Sequence, residues 1–285
     1  MLKIRCAAPA RPEEFETGPP PAWPDFVEGL AEVSGGHLYY RDFGGSGPAL
    51  VLMHPATGSA FMWGYQIAAF KNAGYRVIAY SRRGHRGSDK SPPGGASHSA
   101  DLLGLLDSLQ IARCFLVATA AGCTVTLDFA MSYPERVVAI AASSGAYGTL
   151  AEPEYREVSD RVRTLGLENM PAEFRELGPS YRGANPEGVA AWLDLEHHAL
   201  VDAKAKNESA NKFIWENFAR ISSPVLFIAG GADLAAPPTM MRHVATHVPN
   251  AELLVVPDSG HSVYWERPNT FNESVIEFFS RRSVA

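Results

Sequence analysis

The apolar residues of this chain gather in short runs that are filled at nearly every position. ALVLMH (49–54), YRVIAYS (75–81), CFLVAT (114–119), RVVAIAASS (136–144), PVLFIAGGAD (224–233) and AELLVVPDSGH (251–261) have this character. A strand that is apolar at successive positions is covered on both faces, as in a parallel sheet between helices; a strand with one wet face alternates instead. Between the runs lie stretches with helical spacing. FMWGYQIAAFKNAG (61–74) stops at a glycine, and AGCTVTLDFAMSYP (121–134) stops before Pro134. SADLLGLLDSLQI (99–111) gathers Leu102, Leu103, Leu105, Leu106 and Leu109 on one face, with Ser99 placed to cap its N-terminus. PPTMMRHVATHV (237–248) and FNESVIEFFSRR (271–282) read as two further helices, and a hairpin is expected over 26–43. Strands alternating with helices predict an α/β fold built on a mostly parallel, doubly wound sheet.

Two segments break this rhythm. Residues 1–24 are rich in proline, which lacks the backbone N–H that regular elements need, and read as an irregular arm. Residues 148–216 are polar and helix-like with no buried strand, and read as an inserted helical cap. The expected division is therefore an arm (1–24), a core (25–147 and 217–285) and a cap (148–216).

Composition narrows the classes of function. With 285 residues, 46% of them apolar and 20% charged, the chain is long enough for one large α/β domain. A net charge of −6 gives no basic footprint for nucleic acid. The cysteines, Cys6, Cys114 and Cys123, are odd in number and lack metal-ligand spacing. No apolar run approaches the roughly 20 residues of a membrane helix, and the early Lys, Arg and Pro residues interrupt any signal-like stretch. The expectation is a cytoplasmic monomer or homodimer acting on a small molecule, with no cofactor, metal, nucleic acid or membrane.

Three positions then stand out, each just past the end of an expected parallel strand, where open α/β sheets form their sites. They are Ala120, Asp233 and His261. The segments HPATGS, SRRGHRGSD, ATAAG, YPERV, GGADLAAP and SGHSVYWERPNTFNESVIEFF follow one another over roughly residues 27–285. In these the chain resembles the α/β-hydrolase superfamily, and within it the capped small-molecule hydrolases: esterases, lactonases and carbon–carbon bond hydrolases. The resemblance implies the α/β-hydrolase fold, with nucleophile, acid and base in the chain order 120, 233, 261. It implies an oxyanion hole from the backbone N–H groups of Ala121 and Ala56, with Thr57 next to the latter. His54 would hold that loop by hydrogen bonds.

One departure matters more than the matches. The turn usually written G-x-S-x-G reads Ala118-Thr119-Ala120-Ala121-Gly122, so no hydroxyl stands at its tip. An alanine methyl cannot attack a carbonyl, and the chain as written is expected to be nearly inactive in acyl transfer. Either a serine has been replaced in an otherwise intact machine, or the alanine is native and the chain binds a ligand or uses His261 and Asp233 as a bare acid–base pair. The survival of acid, base and small-residue turn together favours the first. The expected function is ester or lactone hydrolysis by a Ser-His-Asp mechanism; carbon–carbon or amide hydrolysis, and non-catalytic ligand binding, stay open. Candidate pocket walls are Phe61, Trp63, Tyr181, Trp192, Tyr264 and Trp265. Arg182 is either a carboxylate partner or solvated. Asp258 reads as a turn residue rather than the acid, Cys123 as a packing residue, and His197 and His198 as non-converging neighbours rather than metal ligands.

Overall fold

A computed structural model describes residues 2–15, 18–145, 151–162, 166–202 and 207–282. Its strands are β1 (Lys3–Cys6), β2 (Val27–Val33), β3 (Gly36–Asp42), β4 (Ala49–Met53), β5 (Arg76–Tyr80), β6 (Ala96–Ser97), β7 (Cys114–Thr119), β8 (Val137–Ser143), β9 (Asn207–Glu208), β10 (Val225–Gly230) and β11 (Ala251–Val256). Its α-helices are α1 (Gly64–Asn72), α2 (His98–Ser108), α3 (Ala121–Ser132), α4 (Pro153–Val162), α5 (Ala172–Glu176), α6 (Pro179–Ala184), α7 (Pro186–His197), α8 (Trp215–Phe218), α9 (Pro238–Ala245), α10 (Val263–Glu266) and α11 (Pro268–Ser280).

Nine strands form one sheet in the order β1-β11-β10-β8-β7-β4-β5-β3-β2. The β2–β3 and β3–β5 pairings are antiparallel, and every other pairing in this sheet is parallel. The filled apolar runs explain the layering. In β4, Val51 and Met53 join one core with α2, α3 and α9, whereas Leu50 and Leu52 join a second core with α1 and α11. Side chains two apart share a face of a strand, so both faces are buried and no polar position intervenes. The two-sided burial gives the mostly parallel, doubly wound sheet that the apolar runs implied.

Local expectations needed revision at several places. The arm is not wholly irregular: Lys3–Cys6 pairs in parallel with β11 along Glu252–Val255. These four residues precede the prolines, and the exposed sheet edge supplies pairing partners that the segment itself does not signal. Ser97, not Ser99, caps α2, since its hydroxyl accepts the Ala100 N–H. Ser99 lies inside the helix and turns its buried hydroxyl to the Asp128 carboxylate. Between β8 and β10 the described residues are mainly helical, with the two-residue β9 pairing β6. The division drawn between 147 and 148 lies outside the described residues, as do 163–165, 203–206 and 283–285. The division drawn between 216 and 217 passes through α8.

The helical segment returns to the core on one buried carboxylate. Asp128 of α3 accepts N–H groups from Ala210 at 3.0 Å and Asn211 at 2.8 Å, and the Asn211 amide at 2.9 Å. No helix among the described residues is long and apolar enough to cross a membrane.

Candidate active site

The turn after β7 has a shape that few residues adopt. Ala120 sits at φ 49° and ψ −118°, in the left-handed half of backbone space, between strand and α3. A side chain held at positive φ costs of order 1–3 kcal/mol, so the surroundings must hold the turn. They do so through the Ala120 N–H, which donates to Ser143 O at 2.9 Å, and the Ala120 carbonyl, which accepts the Cys123 N–H at 3.0 Å. Gly122 lets α3 approach the end of β4: a β-carbon there would lie 2.3 Å from the Met53 carbonyl oxygen.

At the ends of β10 and β11 the structure joins the other two positions. His261 Nδ1 lies 2.8 and 3.0 Å from the carboxylate oxygens of Asp233, and both residues are buried. Asp233 Oδ1 also accepts the N–H groups of Ala235 at 2.8 Å and Ala236 at 2.9 Å. Burial alone would raise the Asp233 pKa, but His261 and these two donors hold it below the usual carboxylate value. Burial likewise opposes charge on His261; the carboxylates of Asp233 and Glu176 outweigh it and push the imidazole up to about 9. The Nδ1–H is thereby fixed toward Asp233.

The loop after β4 is held as its histidine suggested. His54 Nδ1 donates to Pro55 O at 2.7 Å, and His54 Nε2 accepts the Arg82 N–H at 2.9 Å. Burial and the nearby Arg82 charge keep His54 neutral, which those two roles require. Arg82 reinforces the loop through Nη2 to Pro55 O at 3.1 Å. The N–H groups of Ala56 and Ala121 are engaged by no acceptor among the described residues; the latter opens α3, where the first N–H groups have no partner within the helix. The loops after the adjacent strands β4 and β7 thus each carry an unengaged N–H, and the Asp233–His261 pair lies past the ends of β10 and β11, on the far side of β8.

Two carboxylates escaped sequence reasoning. Glu266 is fully buried, and accepts the N–H of Gly260 from the His261 loop and of Gly178 from the α5–α6 junction, each at 3.0 Å. Burial pushes its carboxyl up to about 8 against those donors. Glu176, raised by burial, has an oxygen 3.4 Å from Ser262 Oγ and a carbonyl that accepts the Ser262 N–H at 2.9 Å. A glutamate between Trp265 and Arg267 in an apolar helix was a signal for Glu266; nothing local distinguished Glu176.

The candidate wall residues separate into groups. Trp63 and Tyr264 pack with ring centroids 5.1 Å apart, and Trp192 is buried as completely as they are. Phe61 and Trp265 instead line a hollow of about 410 Å³ with Pro20, Trp23, Arg41 and Leu195, which includes none of Ala120, Asp233 and His261. There Phe61 stacks on Tyr39 and carries the guanidinium groups of Arg41 and Arg86, each 4.0 Å from its ring centre. Tyr181 is buried against Asn185, whose amide reaches its hydroxyl at 3.4 Å. Arg182 donates to Leu177 O and lies 4.2 Å over Phe174. Asp258 is exposed at φ 60°, Cys123 is buried with its thiol toward Ser143 O, and His197 and His198 are exposed.

Comparison with known proteins agrees with this architecture. The family model described as Alpha/beta hydrolase family matches residues 50–274. This chain belongs to the α/β hydrolase family. It is similar to a 2-hydroxy-6-oxononadienedioate/2-hydroxy-6-oxononatrienedioate hydrolase of Burkholderia vietnamiensis, 28% identical over 276 residues that cover 86% of this chain and 91% of that protein. Among solved structures it is similar to the enol-lactonase of Burkholderia xenovorans LB400, 26% identical with a TM-score of 0.71, covering 88% of this chain and all of the other. A thermophilic esterase of Thermogutta terrifontis shares the fold at 24% identity and a TM-score of 0.73, covering 90% of this chain and 98% of that one. These three proteins are named as hydrolytic enzymes.

Proposed function

We propose that this chain is a hydrolase of small carbonyl compounds, an ester or lactone, in which Ala120 stands where the reacting serine belongs. The observation that supports this most is the 2.8 Å bond from His261 to buried Asp233, past the ends of β11 and β10, with β8 between them and the strand that leads to a turn whose tip is held at φ 49°. In the serine form, Oγ at position 120 attacks the carbonyl carbon as His261 Nε2 takes its proton. Asp233 keeps Nδ1 protonated and stabilises the imidazolium. The N–H groups of Ala56 and Ala121 receive the oxyanion. His261 then gives the proton to the departing alkoxide, and water repeats the sequence on the acyl group. Without Oγ the first bond cannot form, so the chain as written is expected to be nearly inactive. Three free cysteines support placement in the cytoplasm.

A second reading, carbon–carbon bond hydrolysis, rests on the similarity to the dienedioate hydrolase. A third, ligand binding without turnover, rests on Ala120 itself. Assaying the Ala120→Ser variant on short aryl esters, lactones and a dienone acid separates the first two by substrate. A serine-reactive phosphonate should add mass to the variant and not to the parent. No labelling and no turnover on any of the three substrate types would sink both hydrolytic readings.

A further inference from the structure

Arg82 and Arg83 follow β5 side by side and both are buried, but only one is neutralised. Arg83 grips Asp101, with Nε 2.8 Å from Oδ2 and Nη2 2.9 Å from Oδ1. Arg82 forms no ion pair with any described residue. Its guanidinium makes one hydrogen bond to them, from Nη2 to Pro55 O at 3.1 Å, and its buried Nε has no partner. Burial pulls its pKa down to about 10, so it remains charged at neutral pH. The three nearby histidines do not share that charge. Burial, with repulsion from Arg82 added, pushes His85 and His98 down to about 4 and keeps His54 neutral as well. Arg82 therefore carries the only charge among these four residues. A buried charge without a partner costs stability, and this one lies against the loop that carries Ala56.

Pro55 O and the Ala56 N–H are opposite ends of one planar peptide unit. On the oxygen side the unit accepts two donors, His54 Nδ1 at 2.7 Å and Arg82 Nη2 at 3.1 Å. The Arg82 N–H also donates to His54 Nε2 at 2.9 Å, so one residue sets both donors. His85 Nε2 lies 3.2 Å from Ala56 O and braces the next peptide. On the nitrogen side the Ala56 N–H has no acceptor among the described residues. A hydrogen bond accepted by a peptide oxygen polarises the unit and makes its N–H a stronger donor, and a charged donor polarises it most. With no carboxylate to cancel it, the Arg82 field reaches any negative oxygen that this N–H receives.

We infer that Arg82 is a positioning residue for the oxyanion hole: its unneutralised charge, applied through Pro55 O, fixes the Pro55–Ala56 peptide and strengthens the Ala56 N–H toward the negative oxygen formed in the reaction. This rests on the hydrolase reading. It adds to that reading a residue outside the Ser-His-Asp set that acts on the transition state and not on the binding of neutral substrate.

The test adds Arg82→Met or Arg82→Lys to Ala120→Ser. For each protein kcat and KM are measured on a short aryl ester, with the Tm and the inhibition constant of phenylboronic acid. Boron takes Oγ of the introduced serine as the hydroxyl proton passes to His261, leaving a tetrahedral borate anion that mimics the charged intermediate. Arg82→Met should lower kcat about tenfold, less than the roughly 10²–10³ lost with a whole oxyanion donor. It should weaken the boronate by a similar factor, leave KM unchanged, and leave the Tm unchanged or higher, since an unpaired buried charge is removed. Arg82→Lys, which keeps the charge, should recover most of both losses. Unchanged kcat and boronate affinity in Arg82→Met would overturn the inference. So would a Met variant that melts several degrees lower, or a Lys variant no better than the Met one, because either makes Arg82 a structural brace. If Ala120→Ser alone neither turns over the ester nor binds the boronate, the hydrolase reading fails and takes this inference with it. An active Ala120→Ser protein that Arg82→Met leaves unaltered fails this inference alone.

Discussion

At the scale of single residues, the proposed chemistry turns on the conformation of position 120 and the pairing of His261. Ala120 keeps a β-carbon at φ 49°, where glycine alone is unstrained. Ala120→Gly should therefore stabilise the ligand-free protein by about 1 kcal/mol, read as a shift in urea midpoint; a loss of stability would mean the turn is not strained. Asp233 fixes which His261 nitrogen carries the proton. In the serine form, Asp233→Asn should keep the fold and lower kcat by about 10⁴. Asp233 and His261 were legible from the sequence because each follows a filled apolar strand, and strand ends are where such sheets gather chemistry. Glu176 and Glu266 were not legible as polar contacts. Their neighbours are far away in the chain: Glu266 meets Gly178 across 88 positions, and no local pattern encodes such a contact.

At the scale of elements, burial on both faces made β4, β7, β8, β10 and β11 readable from composition alone. Elements set by tertiary pairing were not. β1 exists because the β11 edge is open to it, and α10 is a single turn fixed by the loop around His261. The start of α2 shifted because two serines compete and the one at 99 is drawn to Asp128. That carboxylate ties α3 to residues 210 and 211. Asp128→Ala would strand these donors and should cost on the order of 3 kcal/mol, measured by urea unfolding. A change below about 0.5 kcal/mol, the range of ordinary surface substitutions, would show that the anchor is dispensable.

At the scale of the whole molecule, the buried pair links folding to pH. The His261 pKa is raised from 6.5 to about 9. Its contribution to stability is therefore complete below about 6.5, the unfolded value, and is lost as pH rises through about 9. Asp233, lowered by its partners, contributes in the opposite sense, losing its share as pH falls through its depressed value. The stability advantage of the parent over His261→Gln should accordingly shrink between pH 6.5 and 9, as followed by melting at several pH values. A constant difference would contradict the charged pair. In the serine form the same shift moves the rising limb of kcat/KM above the ordinary histidine value of about 6.5, since the base must first lose its proton.

The most direct measurement is the turnover of Ala120→Ser against the parent on a short aryl ester and a lactone, with circular dichroism establishing that both are folded. A serine at that turn, with Asp233, His261 and the two N–H groups in place, should raise kcat by orders of magnitude, toward the roughly 10⁶ that a lost nucleophile costs in such sites. Equal, negligible rates for both proteins on both substrates would contradict ester and lactone hydrolysis at this site.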